Sequence, residues 1–495
     1  MNKETFRSGT FTISKRTLAL FILTLSVIVI LVLLIGTGNN FFWVIPPALF
    51  LLLILVLSVE RFLLLTVFLV PLSIQLRFIV PDVAADLFLP TEPMLAAIMI
   101  IMLFKIFASK EIDKKILYHP VTIMAGSLLG WLFLTSITGT MALVSIKFLI
   151  SRLWFITGFY LLAVQIFRRD GEIKRYFSAY MAGMTPVAIY YLIRLWNDGV
   201  FMKETAYSAI RPFFNDHTAL GASLAFCIPV SIYLLLSHRK SFLLKVLRFL
   251  QLLLFSAAFI LSYSRAAWIS MAAASVITFI LLLKISWKIL VPLITVIIIA
   301  LITTWTTTMI RLNENRQDSS GDFEKQVQSI SNIRTDDSNL ERINRWKSAL
   351  RMSSEKPLFG WGPGTYQFNY APYQVASEKT KISTNWGEGG NAHSEYLGLL
   401  AESGIPGMVI YILLLVVVMK KGIDLFRREV EREKKILLIC MIAGLSTYIV
   451  HGALNNFLDT DKISALFWGI TAVIVSADIN SSAEKKTSVS EDLPQ

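Results

Sequence analysis

The sequence is poor in charge and nearly without cysteine. Only 16% of its residues are Asp, Glu, Lys or Arg, where soluble domains carry about 25%. Its 55% of hydrophobic residues and mean hydropathy of +0.62 place it among membrane proteins. Cys227 and Cys440 are the only cysteines, each inside an apolar run. A disulfide framework and a cysteine metal site are thereby excluded, and both read as small buried hydrophobes. There is no P-loop, no dinucleotide glycine fingerprint and no His/Cys/carboxylate set with metal-ligand spacing. No metal or cofactor is therefore expected. A cleavable signal is not expected either. The first apolar run follows Lys15 and Arg16 and meets a second run rather than a small-residue cleavage site.

What the chain has in abundance is apolar runs near the roughly 20 residues that cross a bilayer as a helix. They lie near 17–35, 41–58, 61–76, 91–108, 119–138, 145–166, 174–196, 217–236, 244–263, 265–283, 287–310, 395–419, 435–457 and 462–478. The implied fold is an all-α polytopic membrane protein of about 12–14 transmembrane helices. The formal charge of +13 is distributed by loop. Lys15/Arg16, Lys114/Lys115, Arg168/Arg169, Arg239/Lys240 and the 420–435 cluster occupy every second loop, whereas 36–40, 139–144 and 456–461 contain no Lys or Arg. Such alternation is the positive-inside pattern, not a nucleic-acid surface. It puts both termini in the cytoplasm and the long polar stretch outside. Five segments follow: an N-terminal bundle (1–210), a transmembrane core (211–310), a large extracytoplasmic loop (311–394), C-terminal helices (395–478) and a disordered cytoplasmic tail (479–495).

The loop is where chemistry is expected. Ser338-x-x-Glu341 reads as a capping box opening an amphipathic helix over about 339–353. Leu340, Ile343, Trp346 and Leu350 mark its apolar side, which would lie on the membrane face or on the spans. Pro357 ends the helix, and Gly360, Gly362 and Gly364 form a turn whose backbone can approach something closely. His393 precedes a helix that Ser394 or Asn391 can cap, with Glu395, Leu399 and Glu402 on one face and a kink at Gly404, Pro406 and Gly407.

Several residue types here suit transfer chemistry. A histidine at a helix N-terminus is held neutral by the dipole, the form a general base needs; an ordinary packing or capping histidine is the alternative. Arg265 at the outer edge of a span calls for an anion or a snorkelling path to headgroups. Arg342 in a helix first turn opposes the dipole unless an anion is near. Arg211 and Asp216 bound an outer loop or share a pocket with these residues. Lys147 and Arg152 lie in the outer half of a span without an assignable partner. Glu395 and Glu402 can hold an acceptor sugar, orient His393, or simply be solvated. With only short cytoplasmic loops, there is no soluble nucleotide-binding domain. This suggests a donor that arrives already activated and lipid-linked.

Four pieces, in order, resemble the O-antigen ligase/polymerase family of bacterial membrane glycan transferases over roughly 210–420. They are Arg211-Pro-Phe-Phe-Asn-Asp-His217, Leu261-Ser-Tyr-Ser-Arg265, Glu341-Arg342-Ile-Asn-Arg-Trp346 with Pro357-Leu-Phe-Gly-Trp-Gly-Pro-Gly364, and His393-Ser-Glu-Tyr396-Leu with Ala401-Glu-Ser-Gly-Ile-Pro-Gly407. The resemblance implies an inner-membrane glycosyltransferase working at the outer face without metal or ATP. Arg265 and Arg342, with Arg211 nearby, would hold the diphosphate of a polyprenyl-linked glycan. His393 would deprotonate a hydroxyl acceptor on lipid A-core, a growing glycan or a protein. Glu395, Tyr396 and Glu402 would support the acceptor. Ser394 departs from the Asn more usual there. Two other classes remain: a transporter or flippase for a lipid-linked saccharide, which would carry charge near mid-bilayer on paired broken spans, and a non-catalytic partner in polysaccharide assembly.

Overall fold

The computed structural model describes residues 57–78, 87–109, 113–199, 203–237, 241–285, 337–380, 383 and 390–491, together with 51, 54 and 55. The expected spans near 17–35 and 287–310, most of that near 41–58, and the loop from 311 to 336 lie outside the described residues. Two units divide the chain at Leu63, and every functional feature below belongs to the second, Leu64–Gln495.

Helices dominate because the apolar runs are long and, within the bilayer, only intrahelical bonds satisfy the backbone. Eight described helices are long and apolar enough to cross a membrane. The protein is an all-α multi-pass membrane protein. In chain order the elements are α1 (Val59–Leu69), β1 (Ile74–Gln75), β2 (Phe88–Leu89), α2 (Thr91–Ser109), α3 (Pro120–Thr138) and α4 (Ala142–Phe167). Then follow α5 (Glu172–Asp198), α6 (Lys203–Ala209), α7 (His217–Ser237), α8 (Phe242–Ile260) and α9 (Arg265–Leu282). The loop contributes α10 (Asp337–Glu355), and α11 (Glu395–Arg428), α12 (Arg432–His451) and α13 (Asp461–Glu491) complete the chain.

Three features depart from the sequence reading. The span expected at 61–76 is not one helix: α1 has 11 residues and breaks at Pro71. At 1.5 Å per residue it reaches about 17 Å, short of a hydrocarbon core of about 30 Å. Beyond it, β1 pairs antiparallel with β2, Gln75 opposite Phe88. The last helix runs past residue 479, where a disordered tail is expected, to Glu491. α4 passes through a π-helical segment at Ile156–Leu162.

α12 is the hub. It packs on α7, α9, α11 and α13, while α11 also lies along α3 and α10. α13 is buried almost all round from Ile463 to Ser476, as a helix at the centre of a bundle must be. α8 leaves Phe242, Leu243, Leu247, Leu250 and Leu253 exposed, which suits a lipid-facing helix.

Candidate active site

α10 begins the site, and the face it packs within the protein is largely polar. Its buried face is Glu341, Asn344, Arg345, Ser348, Ala349 and Met352, at helical spacing, while Leu340, Ile343 and Trp346 are half-buried and Leu350 is exposed. An ion pair makes the polar face compatible with burial. Arg345, 6% exposed, donates from Nε to Glu341 at 2.7 Å and from Nη1 to the Asn391 carbonyl at 3.1 Å, with its guanidinium over the Tyr370 ring. Glu341, 4% exposed, also accepts from Thr380 Oγ1 at 3.0 Å and from the Ser383 hydroxyl. Burial alone would raise the Glu341 pKa; the hydrogen bonds from Ser383, Arg345 and Thr380 and the Arg345 charge outweigh it and hold it below its ordinary value. α10 is described from Asp337 onward, so Ser338 lies within it.

The glycine turn finds its close approach in α11. Gly404 has φ 70° and ψ −176°, so the helix breaks there, and Pro406 has no N–H to offer Glu402. The orphaned groups are all met from outside. The Ala401 carbonyl accepts from Trp361 N at 3.0 Å, the Glu402 carbonyl from Gly362 N at 2.8 Å, and the Ser403 carbonyl from Trp131 Nε1 at 2.8 Å. Ile405 N donates to the Pro357 carbonyl at 2.8 Å. A Cβ on Gly404 would come within 2.1 Å of the Leu358 carbonyl oxygen, and one on Gly360 within 2.4 Å of the Glu402 backbone.

His393 follows directly on this framework. Its φ of 48° is in the left-handed region, costly for a residue with a Cβ. Two bonds hold it there: its N–H donates to Asn391 Oδ1 and its carbonyl accepts from Trp346 Nε1, both at 3.1 Å. Ser394, not Asn391, caps α11, accepting from Leu397 N at 3.3 Å. The imidazole Nδ1 lies 3.4 Å from Asn455 Oδ1, and Asn455 Nδ2 lies 3.2 Å from His451 Nε2. With the amide so oriented, His393 carries its proton on Nδ1 and leaves Nε2 as the lone-pair nitrogen. Burial, then the charges of Arg345 and Arg342, push the His393 pKa down to about 4, against weaker opposition from Asn455 and Asp216. The imidazole is neutral at physiological pH.

The other segments converge on the same end of the bundle. α9 starts after Tyr263, also left-handed at φ 52°, with Ser264 as its cap. Arg265 is 8% exposed in its first turn, and the next residue, Ala266, has its backbone beside His451. His217 Nδ1 donates to the Ser262 carbonyl at 2.7 Å, and Asp216 caps α7 through Thr218 N and Ala219 N. Arg342, half-buried, donates to Asn339 Oδ1 at 3.3 Å and is near enough to act on both His393 and His451.

Glu395 and Tyr396 are placed as anchors. Glu395 Oε1 accepts from Phe457 N at 2.9 Å, Leu458 N at 2.8 Å and the Tyr448 hydroxyl, and Tyr396 donates to the Ile449 carbonyl at 2.8 Å. Together they fix the turn after α12 that carries Asn455. Glu402 accepts from Tyr366 N at 2.9 Å, and Arg152 donates to the Leu458 carbonyl at 2.7 Å. Among the described residues, no group of three or more His, Cys, Asp or Glu has metal-binding geometry.

A cavity of about 910 Å³ opens here, near the upper end of ordinary small-molecule sites. Arg211, Asp216, Glu395 and Glu402 line it, as do Ala392 and Ser394 on either side of His393. The Arg265 and Arg342 side chains and the His393 ring are not part of its wall. Residues 250–412 match the family model described as O-Antigen ligase. Over this stretch the chain is similar to the O-antigen ligase family. At the level of that family the activity is glycan transfer of the ligase/polymerase type, on lipid-linked glycans. No curated protein matches the chain. The O-antigen ligase match contains Arg265, Arg342 and His393 but not Arg211, Asp216, His451 or Asn455. No motif marks Asn455 or His451. Their one signal is that His451 is among only 5 histidines and ends an apolar span.

Proposed function

We propose that the protein transfers a glycan from a polyprenyl diphosphate to a hydroxyl acceptor, inverting the anomeric centre, at the outer face of the bacterial cytoplasmic membrane. The acceptor hydroxyl oxygen forms the new glycosidic bond as the bond to the diphosphate breaks. Its proton passes to His393 Nε2, and polyprenyl diphosphate departs with the bonding pair. Arg265 and Arg342, with Arg211 at the cavity, hold the diphosphate, since guanidinium forks match its oxygens and stabilise charge on the leaving group. The observation that carries the reading is His393 itself: a neutral imidazole with Nδ1 turned to Asn455, within range of Arg342 and flanked on both sides by cavity-wall residues. The outer location is supported by the alternation of basic loops.

The test is purified protein with a polyprenyl-diphosphate glycan and a panel of acceptors: lipid A-core, the glycan's own repeat unit and a hydroxyl-bearing peptide. The panel separates ligation, polymerisation and protein modification. His393→Ala should lower turnover about 10²–10⁴-fold, and Arg265→Ala should weaken donor binding. Full transfer by His393→Ala would remove the base assignment.

A further inference from the structure

The O-antigen ligase match ends at residue 412 and starts at 250, yet much of the cavity wall comes from outside it. β1, β2, the residues before α7 and the start of α13 close one side. There Gln75, Phe88, Phe214 and Lys462 form a compact group. Gln75 and Phe88 are cross-strand partners, so their side chains lie on the same face. The Lys462 ammonium is 4.3 Å from the Phe88 ring centroid and 5.4 Å from that of Phe214. All four line the cavity.

Lys462 is fully engaged with protein. Its Nζ donates to the Ser73 carbonyl at 3.2 Å, to Ser73 Oγ at 2.5 Å and to Asp461 Oδ1 at 3.4 Å. Asp461 Oδ2 accepts in turn from Ser73 Oγ and Thr91 Oγ1, both at 2.6 Å. This network fixes the two rings rather than offering a charge. Gln75 is different: it is 1% exposed, and its Oε1 has no hydrogen-bond partner. A buried carbonyl oxygen without a donor is costly and calls for a partner. Asn456 Oδ1, on the same cavity wall, also lacks a donor.

An acceptor atom short of a donor beside the two phenyl rings, with a second on the same cavity wall, selects among ligands. A hydrocarbon chain has no donor to give, and an ionised phosphate has only acceptors. A sugar ring has both parts: hydroxyl groups that donate, and a C–H face that packs on aromatic rings. We infer that Gln75, Phe88 and Phe214 form a sugar-ring subsite, with Gln75 Oε1 accepting from a hydroxyl and the rings packing on the pyranose. The inference rests on the glycan-transfer reading and deepens it, because it assigns glycan selectivity to segments outside the matched stretch. The sugar can belong to the acceptor or to the donor's glycan, and the experiment separates them.

The full-length protein in detergent is used in two arms. In the first, KM for the acceptor and KM for the lipid-linked donor are measured separately in wild type, Gln75→Leu, Gln75→Asn and Phe214→Leu. One of the two KM values should rise about tenfold in Gln75→Leu, the equivalent of one lost hydrogen bond. The value that rises names the source of the sugar. Gln75→Asn keeps the amide and shortens its reach, so it should show the same split while guarding against a folding defect in Gln75→Leu. Unchanged KM for both substrates in folded Gln75 variants would overturn the subsite and leave a bound water as the partner of Oε1. The second arm needs no turnover. The oligosaccharide released from the donor by mild acid, and the free acceptor glycan, are titrated onto wild type and Gln75→Leu by calorimetry. Weaker binding of either in the variant supports the subsite even if no transfer is detected, which would count against the glycan-transfer reading alone. Equal binding of both overturns it.

Discussion

Asn455 Oδ1 lies 3.4 Å from His393 Nδ1, across 62 residues of sequence. Asn455 touches the imidazole and not the cavity, so its effect on transfer would pass through the histidine. Asn455→Leu should lower kcat about tenfold, as expected for the loss of one orienting hydrogen bond. Asn455→Asp is the sharper variant. A carboxylate at that distance favours imidazolium, so the acidic limb of the pH–rate profile should move upward. A purely structural role for Asn455 would lower activity without moving that limb.

The wild-type acidic limb is itself a prediction. With the His393 pKa pushed down to about 4 from an ordinary 6.5, kcat/KM should hold between pH 7 and pH 5 and fall only near pH 4. The stability consequence has a definite sign. The unfolded chain takes up this proton at the ordinary pKa of 6.5 and the folded chain only near 4, so the native state loses stability as pH drops through that window. A pH–rate profile beside thermal unfolding at pH 7 and pH 5 checks both.

Glu341→Gln should loosen the loop helix. The Glu341–Arg345 pair is buried on both sides, and breaking such a pair costs about 3–5 kcal/mol because a charge is left behind without its partner. The Glu341 pKa lies below its usual 4.5. The pair's contribution is therefore present above about pH 4.5 and fades as pH falls further. Hydrogen exchange across Asp337–Glu355 should rise in the variant and leave α12 and α13 unchanged.

Gly404→Ala should be among the most disruptive small substitutions in the chain. Its φ of 70° and the carbonyl 2.1 Å from the added Cβ both oppose it, at a cost of about 1–3 kcal/mol for the backbone alone. A lower Tm in detergent, with faster proteolysis near 357–364, would be the readout.

Much of the fold is legible because one rule governs it: apolar runs of spanning length become helices, and six of the spans read from residue 217 onward and from 119 to 166 have close counterparts in α3, α4, α7, α8, α9 and α12. The convergence of the Arg211, Arg265, Arg342 and His393 segments is legible only through their resemblance to a family, since no local pattern says which loops meet. Other parts were hidden for physical reasons. The face of α10 that packs within the protein is not readable from its hydrophobic stripe, because a buried Glu341–Arg345 pair with satisfied hydrogen bonds can turn polar residues inward. The glycine turn announced a close approach but not its object, a helix backbone rather than a ligand. Glu395, readable in sequence as acceptor contact, support or cap, is engaged through Oε1 by two backbone N–H groups from beyond the next helix, a pairing fixed by tertiary folding alone.

The break in α11 has a practical consequence for anyone exchanging parts between related transferases. Residues 357–364 and 401–405 complete each other's backbone bonding, so they form one exchangeable cassette. A chimaera that imports the loop alone would strand carbonyls inside the bundle, whatever its catalytic residues. One that moves both pieces, with Trp131 beneath the Ser403 carbonyl, carries the bonding of the broken helix along with it.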